Sequence, residues 1–128
     1  MGDKTKEFVI DNQSPYCLHP SDESGAIITT LTFVGKNYEL WEKVVLIVLT
    51  IKSKVAFIDG IISKQEMQKV AYSAEANTWI IMNSMVTSWI QNVIDPRLHT
   101  SIAYTDSAQA IWEHIQKRYA VPNVPKIH

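Results

Sequence analysis

The sequence predicts an all-α fold, a small orthogonal bundle of four to five helices preceded by an extended N-terminal arm. Residues 74–94 contain neither Gly nor Pro, and their apolar residues recur at the helical spacing of about 100° per residue. Residues 37–54 and 105–119 show the same spacing. Only residues 26–33 have the β-branched composition of a strand. The chain therefore has several helices and at most one short β segment.

The composition limits the functions that the chain can have. Its 128 residues are enough for one core without disulfides or metals. The net charge is -1 and the 12 basic residues are spread along the chain, which argues against binding nucleic acid by neutralising phosphates. Cys17 is the only cysteine, so no intrachain disulfide or cysteine metal cluster forms. We expect a cytoplasmic protein, because a lone cysteine favours a reducing interior.

Neither a secretory signal nor a membrane span is expected. The N-terminal residues MGDKTKEF carry charges, but no apolar region follows them. The longest apolar run, residues 44–51, is too short to cross a bilayer.

The N-terminal third is expected to be irregular. Residues 1–13 are polar and predict a flexible tail. Residues 14–25 are rich in Pro, Ser, Asp and Gly, and they predict an ordered arm because Tyr16 and Leu18 need burial. Residues 26–33 predict a short strand or an extended segment, at an edge or in a small hairpin.

The first helix is predicted from Asn37, which can cap it, to about Lys54. One face at helical spacing comprises Tyr38, Trp41, Val45, Val48 and Leu49. Val44, Ile47 and Ile51 lie beside that face, and Leu46 points away from both sets. Because this helix is more apolar than one packing face requires, it is either buried from several sides or contacts another molecule.

Two shorter segments precede the central helix. Residues 57–60 predict a turn in which Gly60 ends the preceding helix. Ser63 and Glu66 have the spacing of a capping box, which predicts a short helix that bends into the central helix near Tyr72 and Ser73.

The central helix, residues 74–94, is predicted to be buried over most of its circumference. Its main face comprises Trp79, Met82, Val86, Ile90 and Val93, and Ile81, Met85 and Trp89 widen that face. We expect Asn83, on the flank, to be a buried amide that bonds to backbone and fixes how the helices dock.

The last helices have clear start signals. Asp95 and Pro96 predict a short helix over residues 96–104. Thr105 is predicted to cap the final helix. Its core stripe comprises Ala108, Ile111, Trp112, Ile115 and Tyr119. Pro122 ends that helix, and residues 121–128 are expected to link a domain over residues 14–120 to a downstream region.

Catalytic and metal-binding patterns are missing from the sequence. The histidines form no HxxxH or HExxH pair, and nothing completes a zinc site with Cys17 and His19. Neither GxxxxGK[ST] nor GxGxxG occurs. The four tryptophans occupy core positions of the predicted helices, and His114 is expected to be solvated or hydrogen-bonded. We therefore predict no enzyme, cofactor, metal or small-molecule substrate.

Several blocks of the sequence resemble the Gag polyprotein of plant Ty1/copia-type retrotransposons. The arm signature lies in residues 14–25, and residues 31–41 contain the Leu-x-Gly-x-Asn-Tyr-x-x-Trp pattern with a slightly longer spacing before the glycine. The blocks at residues 52–60, 79–90 and 108–112 match later family patterns. The signature residues taken from this resemblance are Tyr16, His19, Pro20, Tyr38, Trp41, Phe57, Gly60, Trp79, Asn83, Trp89 and Trp112.

The resemblance implies a structural role without catalysis. It predicts the N-terminal capsid domain of a Gag protein, which assembles with copies of itself into intracellular virus-like particles. The element's RNA would be bound only by downstream regions, since no CCHC zinc knuckle occurs here. One alternative is a host-adopted Gag domain that binds a partner or peptide in an apolar groove. Another is a nucleic-acid-binding module, which salt-dependent RNA affinity would reveal.

The resemblance also directs attention to the first helix. Family members commonly carry polar or basic residues in its middle, where this sequence has Leu46 and Ile47. We predict a self-association surface formed by Val44, Leu46, Ile47 and Ile51. The alternative is that these residues are buried under the arm or the linker.

Overall fold

The computed structural model describes residues 8–103 and 105–120 and confirms a small all-α bundle. The α-helices are α1 (Tyr38–Ile51), α2 (Lys64–Gln68), α3 (Ala74–Asn92) and α4 (Ala108–Tyr119), and Val55–Phe57 and Pro96–Ile102 form short 3₁₀ helices. None of the described helices has both the length and the apolarity needed to cross a membrane. The predicted linker, residues 121–128, and residues 1–7 of the predicted tail lie outside the described part of the chain.

Helix α3 forms the centre of the bundle, as predicted, and packs against both α2 and α4. It begins after Ser73, whose hydroxyl accepts a hydrogen bond from the backbone N–H of Ala76 at 3.0 Å. All five residues of its predicted main face are buried, and so is Trp89. The prediction for Ile81 was wrong, because Ile81 and its neighbour Ile80 are exposed. One flank of α3 is therefore left uncovered near its N-terminal half.

Helix α1 begins directly after Asn37, although the Asn37 side chain does not cap it. Its amide instead accepts from the backbone N–H of Val34 at 2.9 Å and donates to the carbonyl of Thr32 at 2.8 Å. The helix ends at Ile51, earlier than predicted, and Ser53 beyond it adopts a left-handed conformation with φ of 60°. Asn37 thus stabilises the turn before α1 and does not accept hydrogen bonds from the first N–H groups of the helix.

The β-branched segment before α1 is extended, but no strand forms among the described residues. Phe33 donates its N–H to Val93 at 2.8 Å, and its carbonyl accepts from Asp95 at 2.9 Å, which makes one isolated parallel bridge to Ile94. The indole of Trp41 also donates to the Val93 carbonyl, at 3.1 Å. The start of α1 is thereby held against the end of α3.

The N-terminal arm is ordered by ring contacts and by polar contacts. Tyr16 is buried, and its ring packs edge-on against Phe8 and Phe57 at centroid distances of 5.2 and 5.9 Å. The prediction that Leu18 is buried was wrong, because its side chain is exposed. The indole of Trp89 donates to the Glu23 carbonyl at 2.7 Å. Ring packing and hydrogen bonds to backbone acceptors therefore both hold the arm to the bundle.

Helix α4 shows where the sequence prediction of a cap was wrong. Thr105 does not cap it; its hydroxyl donates backwards to the Ile102 carbonyl at 2.6 Å. Ser107 is the cap, and its hydroxyl accepts from the N–H of Ala110 at 3.0 Å. Asn83 of α3 accepts from the N–H of Ala108 at 3.0 Å. This bond between two helices satisfies the first N–H of α4 and fixes its start.

The remaining start signals agree with the structure. Ser63 caps α2 by accepting from the N–H of Glu66 at 3.2 Å. Asp95 caps the 3₁₀ helix by accepting from the N–H of Arg97 at 2.9 Å. The turn ends at Gly60, whose φ of 89° suits glycine, and a Cβ atom there would lie 3.0 Å from the Gln109 amide nitrogen. The two caps are decided within a few residues of sequence, whereas the space at Gly60 is also limited by Gln109, which is distant in sequence.

Candidate self-association surface

An uncovered row of apolar side chains runs along α1. Leu40, Ile47 and Ile51 are 57%, 59% and 77% exposed, and Val44 between them is half-buried. Residues spaced by three or four positions lie on the same face of a helix. The four residues therefore form one continuous row, which we call the α1 stripe. The structure thus brings together three of the four residues predicted for self-association and adds Leu40.

Leu46 does not belong to this stripe. Its side chain is half-buried, packs against the core, and shares a small cleft with Val55, Ile58 and Trp112. The expectation that Leu46 points away from the packed faces was therefore wrong. The chain after α1 folds back beside α4, and together they cover the side of α1 that carries Leu46.

Sequence reasoning missed Leu40 although a signal was present. Leu40 lies four residues before Val44, so the spacing that joins Val44, Ile47 and Ile51 extends to it. Because its neighbours Tyr38 and Trp41 belong to the buried face, the sequence alone suggests that the whole start of the helix is part of the core. The helical spacing identified the row, and only the structure showed that it is exposed along its length.

The charges around the stripe do not oppose contact between two copies. None of its four residues is ionisable, and the exposed side chains of Glu39 and Lys43 beside it have opposite signs. The whole chain carries a net charge of only -1. A protein with little net charge experiences weak repulsion between its own copies.

A second apolar surface lies between α2 and α3. It is an open groove of about 280 Å³, which we call the α2–α3 groove. Its apolar lining comprises Met67, Ala71, Tyr72, Ala76, Trp79 and Ile80. Tyr72, at the turn into α3, has a φ of 70° and a fully exposed side chain, and Ile80 is 55% exposed. The groove therefore lies along the flank of α3 that the core leaves uncovered.

Most signature residues are part of the core. Tyr16, Tyr38, Phe57, Asn83 and all four tryptophans are buried. His19 and Pro20 are exposed, and the backbone N–H of His19 donates to Asp22 at 3.1 Å. These residues hold the fold together and do not converge on one site. His114 departs from expectation, because its buried Nε2 has no hydrogen-bond partner among the described residues.

An ionic clamp joins the arm to the end of α1. Lys52 lies 3.1 Å from the Asp22 carboxylate and 5.0 Å from the centre of the Trp89 ring. Burial alone would raise the pKa of Asp22, but the His19 N–H and the Lys52 ammonium outweigh it and hold that pKa below its usual range. Burial lowers the pKa of Lys54, whose ammonium donates to the Cys17 carbonyl at 2.8 Å. Asp22 is therefore ionised at neutral pH and stabilises the docked arm.

The clamp and the stripe offer no chemistry for a metal. Within residues 8–103 and 105–120, no group of three or more His, Cys, Asp or Glu side chains is placed to hold a metal ion. The arrangement provides exposed apolar surface on a helical bundle.

Comparison with known protein families shows that one part of the chain is similar to a described family. Residues 19–64 match the family described as the Gag-polypeptide of LTR copia-type. These residues are therefore similar to a copia-type Gag region, and we call them the Gag region. The Gag region begins in the arm and ends at the start of α2, so it contains the Asp22–Lys52 pair of the ionic clamp and the whole α1 stripe. No curated protein and no solved structure matches the chain.

The family match supports a Gag-like structural role, because the Gag-polypeptide family describes a structural, non-catalytic part of its proteins. The resemblance noted in residues 79–90 and 108–112 lies beyond the matched residues and stays a prediction, as do the domain boundaries.

Proposed function

We propose that this chain is a structural self-assembly domain of a retrotransposon Gag, which forms virus-like particles in the cytoplasm through contacts between helices of identical subunits. The α1 stripe is the observation that carries the proposal. It exposes three large aliphatic side chains inside the Gag region. Catalysis has no part in this function, and the element's RNA would be bound by other regions of Gag. The plant origin of the element remains a prediction.

The stripe is large enough for a weak contact and too small for a strong one. Complete burial of a Leu or Ile side chain contributes about 1.5–3 kcal/mol. With 57–77% of each still exposed, burying Leu40, Ile47 and Ile51 would contribute roughly 3–6 kcal/mol in total. Association costs about 4–15 kcal/mol in lost freedom. Each contact is therefore weak alone, and a stable particle needs several contacts per subunit.

A second function is favoured by the α2–α3 groove. A host-adopted Gag domain could use this apolar groove to bind a partner protein or peptide. It would bind such a ligand without associating with itself, whereas the leading proposal requires self-association. Measurement of self-association therefore separates the two.

The test compares sedimentation of the 128-residue chain from micromolar to millimolar concentration, with electron microscopy for particles. We expect the wild type to self-associate and Ile47→Glu/Ile51→Glu to remain monomeric, since both side chains face solvent and Glu favours helix. Ile61→Glu is the matched control, because Ile61 is 73% exposed and lies outside the stripe and the groove. A wild type that stays monomeric throughout, or a stripe variant that associates like the control, would refute the proposal.

A further inference from the structure

We propose that the α1 stripe of one copy inserts into the α2–α3 groove of the next copy, so that the subunits join head to tail. This inference rests on the proposed function and adds the surface that the stripe contacts. It commits the groove to one occupant, a second copy of this chain.

The two surfaces have complementary shapes. Ile47 and Ile51 are about one helical turn apart, or roughly 5–6 Å, and they form the most exposed part of a convex ridge. The groove is concave and about 280 Å³ in volume. A cavity of about 150 Å³ already holds a benzene molecule. The groove therefore has room for both isoleucine side chains.

The polar groups at the two surfaces permit this contact. The stripe contains no ionisable residue, and Lys64 is the one residue lining the groove that is charged at neutral pH. Its ammonium is already paired with the carboxylate of Asp106. Glu39 and Lys43, both exposed beside the stripe, carry charges opposite to those of Lys64 and Asp106, respectively. Contact between the two surfaces therefore buries no unpaired charge, which would otherwise be costly.

The placement of the surfaces favours a contact that continues from copy to copy. Every residue that lines the groove lies between Lys64 and Ile80, so α1 does not fill it within the same copy. The stripe and the groove share no residue. Each copy can therefore donate its stripe to one neighbour and accept the stripe of another. Such a heterologous contact produces rings or extended assemblies, whereas pairing stripe with stripe would stop at a dimer and leave the groove empty.

The test mixes two variants that each lack one of the two surfaces. Ile47→Glu/Ile51→Glu removes the stripe, and Ala71→Glu/Ile80→Glu places charge in the groove at two exposed positions. We expect each variant alone to lose at least about tenfold in self-association affinity. In an equimolar mixture, the intact groove of one meets the intact stripe of the other. The mixture should therefore form one-to-one heterodimers that grow no further, measured by sedimentation with one variant labelled.

The outcomes separate this inference from the proposed function. If the groove variant associates as the wild type does while the stripe variant does not, the stripes pair with each other. The head-to-tail contact is then wrong, and self-association through the stripe stands. A mixture that stays monomeric also overturns the head-to-tail contact. A wild type that never associates overturns both. Should Ala71→Glu/Ile80→Glu lose its helical circular dichroism, Asn77→Arg, at another exposed groove position, replaces it in the same experiment.

Discussion

Replacing Asn83 with Ala tests how the bundle is held together. The Asn83 side chain is buried on α3, accepts a hydrogen bond from the Ala108 N–H at 3.0 Å, and donates a longer one to the Asp106 carbonyl at 3.5 Å. Ala108 is fully buried. Without the amide oxygen, its N–H loses its partner where bulk water does not reach it.

The structure sets the size of the expected effect. Leaving a buried donor unsatisfied costs about 1–3 kcal/mol. Alanine recovers about 0.5 kcal/mol, because it favours helix more than asparagine does. Asn83→Ala should therefore lower the free energy of unfolding by about 0.5–2.5 kcal/mol. At a urea dependence of about 2 kcal/mol per molar, this lowers the urea midpoint by roughly 0.3–1.3 M.

Urea unfolding followed by circular dichroism measures the global effect, and hydrogen exchange at the Ala108 amide measures the local one. Ser84→Ala is the matched control, since Ser84 is exposed on the same helix and its hydroxyl bonds only to the Ile80 carbonyl one turn back. We expect the control to change the free energy of unfolding by less than about 0.5 kcal/mol. Equal midpoints for the two variants, with the Ala108 amide still protected, would refute the assigned role of Asn83.

Three further predictions concern the cap, the clamp and the core. Ser107→Ala should lower the free energy of unfolding by about 1 kcal/mol and Thr105→Ala by less, because only Ser107 caps α4. The lowered pKa of Asp22 means that its ionised form adds stability above the unfolded pKa of about 3.9, and this is lost as pH falls through the folded pKa. Asp22→Asn should therefore be less stable than wild type at neutral pH, and urea midpoints should converge below about pH 4. Trp41→Phe should cost about 2 kcal/mol, since it leaves a void and removes the bond to the Val93 carbonyl; an unchanged urea midpoint would contradict this.

The positions of the helices followed from local sequence. The start of α1 after Asn37, the capping box at Ser63, the Asp95–Pro96 start signal and the apolar period of α3 each depend on residues within a few turns of one another. Helical spacing also identified the large buried side chains, because a residue that repeats with the helix faces the same neighbours at every turn.

The cap of α4 depended on tertiary structure. Thr105 and Ser107 are both residue types that favour caps, and nothing local separates them. The hydrogen bond that the Ala108 N–H donates to the Asn83 amide oxygen, 25 residues away in sequence, favours a helix that starts after Ser107. A contact between two helices thus decided a boundary that looks local.

Which apolar residues are exposed also depended on the tertiary structure. The sequence by itself determined that α1 has more apolar positions than one face can use, and its spacing places Leu40 and Leu46 at different angles around the helix. The sequence could not determine that Leu46 is half-buried in a cleft with Val55, Ile58 and Trp112 while Leu40 stays exposed. The angle of a residue around a helix follows from covalent geometry. Its burial depends on which distant segments pack against that side of the helix, and only the tertiary structure fixes the positions of those segments.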